Sequence, residues 1–172
     1  VTTYNGFRSA NTSTYVPMLF KDAFGGSYDS ALYIQNVSGA VGNANVTISY
    51  YDSAGNLSCT VNDTIAQNAT KGYWLPSVIC NSGSLPVGWA GGAYITADKN
   101  IIAVGRPHVG EQVTAYSGTF AIGVINYMPM LFRDAFGGDY DSAFYIQNTE
   151  GSSGTVTLNF FDAAGTLLCT RT

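Results

Sequence analysis

The chain has 172 residues, 46% of them hydrophobic and only 10% charged, with a net charge of −4. So few charges argue against a disordered chain and against a charge-rich helical bundle. The seven Lys and Arg residues are scattered singly, which leaves no basic stripe for nucleic acid, and no apolar run approaches the ~20 residues of a membrane span.

Twenty glycines, abundant Thr, Ser, Asn, Val and Tyr, and few helix formers favour β structure. The first residues, "VTTYNG" at Val1, return as "VTAYSG" at Val113. Residues 1–12 are therefore expected to be the last strand of a preceding repeat followed by a linker, with "NTSTY" from Asn11 read as that linker. Next comes "YVPMLFKDAFGGSYDSALYIQN" at Tyr15, which recurs at Tyr127 as "YMPMLFRDAFGGDYDSAFYIQN" with four changes in 22 residues, 112 residues on. The strand in the first copy places Leu32 and Ile34 on one face; the second copy offers Phe144 and Ile146 there.

In "ANVTISYY" the residues Val46, Ile48 and Tyr50 alternate with Asn45, Thr47, Ser49 and Tyr51, as a half-buried strand requires. Its copy places Val156, Leu158 and Phe160 inward. "DSAG" at Asp52 and "DAAG" at Asp162 are turn sequences, because Asp suits the first turn position and Gly the last. Further strands are predicted at 71–75, 89–97, 101–106 and 113–120, with "ADKN" at Ala97 as a hairpin turn. Residues 13–120 form a complete unit of about 110 residues, long enough to fold alone. Residues 121–172 read as a linker and the N-terminal half of the next unit. The period is too long for a solenoid and fits whole domains in series. The expected fold is all-β: tandem Ig-like β-sandwich domains, one complete and one partial. The partial unit carries an apolar face of Met130, Phe132, Phe144, Ile146, Val156, Leu158 and Phe160, expected to pack against strands from an adjacent repeat or subunit.

The same registry sorts the three cysteines. Cys169 is the copy of Cys59, and nothing in the chain copies Cys80, so Cys59 and Cys80 are the natural pair and Cys169 awaits a partner outside this segment. A disulfide implies an oxidising, extracytoplasmic setting. Asn-x-Ser/Thr occurs at Asn11, Asn36, Asn45, Asn56, Asn62 and Asn68, which are candidates for N-glycosylation in linker, turn or outward positions.

Little points to catalysis. The single His108 cannot complete a zinc site with these cysteines, and most of the acids sit in turns. The best acidic cluster, Asp134, Asp139 and Asp141 around a Gly turn, is a weak Ca²⁺ candidate; a solvated turn explains it as well. No metal, cofactor or enzymatic activity is expected. Outward Tyr33, Tyr51 and Tyr94 could stack on sugar rings or form contacts between domains.

These residues resemble a tandem repeat found in long secreted or cell-surface proteins of Chloroflexota-type bacteria. The resemblance rests on Tyr15 and Pro17, Ile34 to Asn36, Tyr50 to Gly55, Leu85 to Gly91 and Tyr116 to Gly118. It implies an extracellular β-sandwich array without a known active site. The functional expectation is a structural or adhesive surface fibre or filament, whose partners are copies of itself or adjacent repeats. The alternative is a carbohydrate-binding module of a larger secreted protein, with surface glycans as ligands.

Overall fold

The computed structural model describes the chain apart from residues 1–6, 8, 40, 41, 111, 120–122, 124, 127, 129, 130, 135, 136 and 139–141. Met130, Asp139 and Asp141 thus lie outside the described residues. The strands are β1 (Asn11–Lys21), β2 (Tyr28–Asn36), β3 (Ala44–Asp52), β4 (Leu57–Ile65), β5 (Thr70–Trp74), β6 (Ser82–Gly83), β7 (Trp89–Val109), β8 (Gln112–Val113), β9 (Tyr116–Ser117), β10 (Leu158–Phe161) and β11 (Leu167–Arg171). The first nine form one sheet, ordered β5-β2-β7-β3-β4-β6, with β1, β8 and β9 also paired to β7; β10 and β11 form a separate hairpin.

The spine is β7, 21 residues long and about 70 Å along its contour. On one edge it pairs antiparallel with β2 (Asn36 opposite Ile101) and then with β3 (Val46 opposite Ala97). The other edge carries β1 over the first half and β9 over the second. The expected hairpin turn at Ala97 does not form. Asp98, Lys99 and Asn100 mark the place where partners change from β3 to β2, and the strand runs through it. Their polarity still serves a purpose. Asp98 accepts from Asn45 N–H and Nδ2 at 2.8 Å each, and the Asn100 carbonyl accepts from Val37 N–H at 3.0 Å. "NTSTY", expected as a linker, is the start of β1, and the single strand expected at 113–120 is two short pieces, β8 and β9.

Odd-numbered residues of β7 face inward along its length: Trp89, Ala93, Ile95, Ile101 and Ala103 all join one core. Val16 and Leu19, Leu32 and Ile34, and Val46, Ile48 and Tyr50 meet them from β1, β2 and β3, as alternation requires. A straight strand would hold Trp89 and Ala103 about 45 Å apart. One core containing both goes with the curl of the sheet into a half-barrel. The all-β reading therefore stands, in the form of one curled sheet.

Two polar devices hold the curl. Between Val16 and Leu19 the register on β7 slips by one residue, leaving Pro17 and Met18 as a bulge. Pro17 has no N–H to satisfy. Met18 donates its N–H to the Tyr116 hydroxyl at 2.9 Å, and that hydroxyl donates to the Met18 carbonyl. The Tyr116 ring lies over Gly105, where an added Cβ would stand 2.5 Å from it, so only glycine fits. Burial pushes the phenol of Tyr116 well above its usual range. The second device is Asn36, fully buried at the end of β2. Its Nδ2 donates to Gly42 and Ile65 carbonyls at 3.2 Å each, and its Oδ1 accepts from Ser38 N–H and Oγ. All four hydrogen-bonding positions of the amide are thus used.

Tyr50 is the counterexample. Its hydroxyl is buried with no hydrogen-bond partner, and burial pushes its phenol up strongly. The equivalent residue in the second copy is Phe160, which lacks the orphan oxygen.

Tyr116→Phe should lower the unfolding free energy by about 1–3 kcal/mol in urea titration, because both Met18 backbone groups lose their partner. Tyr50→Phe should act in the opposite direction, raising it by about 1 kcal/mol, since a buried unpaired hydroxyl is removed at nearly constant volume.

Candidate functional site

The second copy reproduces the local structure of the first in detail. In β3–β4, Ile48 faces Val61, Ser49 faces Thr60, Tyr50 faces Cys59, and Tyr51 faces Leu57 across a bulge. In β10–β11 the matching pairs are Leu158 with Arg171, Asn159 with Thr170, Phe160 with Cys169, and Phe161 with Leu167, with the same bulge. Asp162 accepts from Ala164 and Thr166 N–H as Asp52 accepts from Ala54 and Asn56, which holds both carboxyls below the usual range. Ser142 Oγ accepts from Phe132 N–H as Ser30 Oγ accepts from Phe20. Asn148 Oδ1 accepts from Glu150 N–H as Asn36 Oδ1 accepts from Ser38 N–H, and its Nδ2 donates to Ser152 O in the loop that follows. Asp134 has the same left-handed backbone as Asp22, φ 48° against 47°.

Long-range structure is where the copies part. Ile34 and Val46 are 0% and 2% exposed, whereas the matching Ile146 and Val156 are 52% and 46% exposed. Leu32, Ile48 and Tyr50 are fully buried, whereas Phe144, Leu158 and Phe160 are half-buried, as is Phe132. Leu167 and Leu168 on β11 are also open. Residues 142–148 carry the sequence of the end of β2 without being a strand. The first copy of that sequence has β7 beside it; among the described residues no strand pairs with residues 142–150.

Part of the second copy does touch the first unit. The Tyr145 ring meets Phe20 edge-on at 5.8 Å, beside Phe24 and Tyr28, whose rings pack on one another at 5.1–5.6 Å. Phe24 adopts φ 51°, costly for an aromatic residue, and is 62% exposed. Gln147 lies over Gly92, where a Cβ would stand 3.2 Å from its Oε1.

The outward aromatics have separate surroundings. Tyr94 stacks on Tyr15 at 4.6 Å, and the Tyr15 phenol is raised by burial and then by its neighbour Tyr94. Tyr33 lies across Gly72 and lines a shallow hollow of about 380 Å³ with Gln35, Thr70, Ile102, Val104 and Arg106. Beyond it His108 meets Trp74 edge-on at 5.2 Å; burial, then Arg106, lowers the imidazole.

Cys59 and Cys80 form a disulfide, with Cys59 in the core, and Cys169 is an exposed free thiol. Of the sequons, Asn11, Asn45, Asn56, Asn62 and Asn68 are exposed. Asn36 corrects the expectation that all six face outward: its amide is fully buried and committed to four protein hydrogen bonds, so no glycan can be carried there in the folded unit. Asp134 is exposed beside Arg133 at 3.8 Å, and among the described residues no three His, Cys, Asp or Glu side chains gather as a metal site. Among them too, no helix is long and apolar enough to cross a membrane.

Sequence reasoning did not single out Tyr116 or Tyr145 as contacts. Gly105 in an otherwise apolar strand was the available signal for Tyr116, since glycine there marks close approach. Tyr145 carried none, because its copy Tyr33 faces a different environment.

No protein-family model and no curated protein matches this chain. Among solved structures it is similar to one described as the crystal structure of Thermotoga maritima 1070, at 12% identity and a TM-score of 0.51. That match covers 67% of this chain and 97% of the other. At such identity the likeness shows the fold alone.

The disulfide spans 21 residues of sequence, enough to restrict the unfolded chain appreciably. Cys80→Ser should therefore lower the unfolding free energy by about 3 kcal/mol, and reduction of the wild-type chain should shift its denaturation midpoint in the same direction.

Proposed function

We propose that this chain is a repeat segment of an extracellular structural or adhesive protein, a surface fibre or filament assembled head to tail from tandem β-sandwich units of Ig-like type. It has no enzymatic role in this reading. The observation that carries it is the unequal burial of duplicated residues. The same apolar positions are sealed in one copy and open in the other, although their local hydrogen bonds agree. A soluble monomer that leaves such side chains wet forfeits about 1.5–3 kcal/mol at each. Strands from a neighbouring repeat or subunit would recover that energy. Repeated head to tail, the contact makes an open linear assembly rather than a closed dimer.

Other features support the setting. The Cys59–Cys80 bond suits an oxidising compartment. The five exposed sequons suit a glycosylated surface protein. The contact of Tyr145 with Phe20 suits aromatics used between units. Kinship with the secreted tandem repeats of Chloroflexota-type bacteria is part of the same proposal. A second reading, a carbohydrate-binding module, draws on the hollow beside Tyr33 and Arg106, where a sugar ring could stack and hydrogen-bond.

Electron microscopy of native material separates the two: the array reading expects filaments. Dispersed particles, together with rapid hydrogen exchange at Phe144, Ile146 and Leu158 in a monodisperse monomer, would overturn it in favour of the isolated module.

A further inference from the structure

We propose that the open face of the second copy is a strand-acceptor site for one antiparallel strand of β7's chemistry, and that Cys169 locks the incoming segment by a disulfide. This deepens the array reading and rests on it. The duplication itself identifies the occupant. In the complete unit, β2 and β3 are joined end to end along a single edge of β7, and their inward side chains meet small or aliphatic residues across it. Leu32 faces Gly105, Ile34 faces Ala103, Ile48 faces Ile95, and Tyr50 faces Ala93. The second copy holds Phe144, Ile146, Leu158 and Phe160 at these positions. Phe144 stands where Leu32 does and Phe160 where Tyr50 does, and the residues opposite those two positions in the complete unit, Gly105 and Ala93, are small. The Ala93–Gly105 pattern supplies a small partner at both phenylalanines. Backbone donors and acceptors along residues 142–148 supply the pairing edge, since this stretch repeats β2 and is not in a sheet.

The fastening follows from the same register. Phe160 faces Cys169 as Tyr50 faces Cys59, and Cys59 is bonded to Cys80, nine residues before Trp89 opens β7. A segment bringing a β7-type strand therefore brings a cysteine to Cys169. With a glutathione disulfide as oxidant, the Cys169 thiolate attacks one sulfur and releases one glutathione thiol. The incoming thiolate then attacks the Cys169 sulfur and releases the second. Two protein thiols are oxidised, and one glutathione disulfide is reduced to two thiols, which take up the protons.

The test uses the full 172-residue chain and a synthetic peptide of residues 78–109 in a glutathione redox buffer, read by hydrogen exchange and by mass spectrometry of a non-reducing digest. Exchange across 142–160 should slow by about tenfold or more on peptide addition. The peptide's cysteine should appear bonded to Cys169. A peptide carrying Ala93→Trp and Ala103→Phe should give neither effect, and Cys169→Ser should keep the protection while losing the bond. Absence of protection overturns the proposal, as does equal cross-linking by the bulky peptide, which would show thiol reactivity alone. Concentration-dependent dimers that already protect 142–160 without peptide would also overturn it, since the face would then cover a second copy. Filaments without peptide binding would leave the array reading standing and this proposal refuted; peptide binding with dispersed particles would do the reverse.

Discussion

Backbone pairing along both edges of Trp89–Val109 is the constraint on which the complete unit depends. Five other described strands, β1, β2, β3, β8 and β9, pair with it, and β4 and β5 are attached only through β3 and β2. Because β7 keeps one parity of side chains inward over 21 residues, a single curl brings both of its ends into one core. The cost of such a design is non-locality. Val46 must find Ala97 and Ser13 must find Thr96 before the interior closes.

The two copies of the 22-residue stretch separate what local sequence does from what the spine does. Turn bonds at Asp52 and Asp162, the left-handed Asp22 and Asp134, and the β3–β4 and β10–β11 registers agree because they involve neighbours within about a dozen residues. Burial of Ile34 against exposure of Ile146 differs because the partner is a strand far away in sequence. The second copy thus carries the same turns and hairpin while its apolar positions stay open. An apolar face with unpaired strand edges is open to pairing with other strands. Charges are sparse there: Arg171 is the one charged residue on β10–β11.

Closure of the complete unit uses buried polar groups sparingly and satisfies nearly all of them. Tyr116 answers both backbone groups of Met18 at the bulge, and Asn36 ties the end of β2 to β4 and to the loop before β3. At the sheet's other margin, burial raises the Asp63 carboxyl, but Lys71, Thr64 N–H and the Tyr73 hydroxyl outweigh it and keep the group ionised below the usual range. These contacts fix the curl.

Much of this was legible in the sequence. Alternation gave the inward sets of β2 and β3, Asp-x-x-Gly gave the hairpins, and the repeat registry singled out Cys59 and Cys80 as partners. Each of these depends on residue spacing or on comparison of the chain with itself. The sequence by itself therefore determined strands, turns and which positions are equivalent. Tertiary structure decided what those positions meet. "ADKN" has the composition of a turn, yet it stays extended because Asn45 and Val37 supply the hydrogen bonds a turn would have made internally. Asn36 has the pattern of a glycan acceptor, yet the Ile65 and Gly42 carbonyls draw it into the core. Tyr33 and Tyr145 share a sequence context, yet one lies on Gly72 and the other on Phe20. In each case the deciding partner is supplied by strand pairing or packing, and the physical reason is the same: hydrogen bonds and burial are set by neighbours in space, which no local pattern encodes.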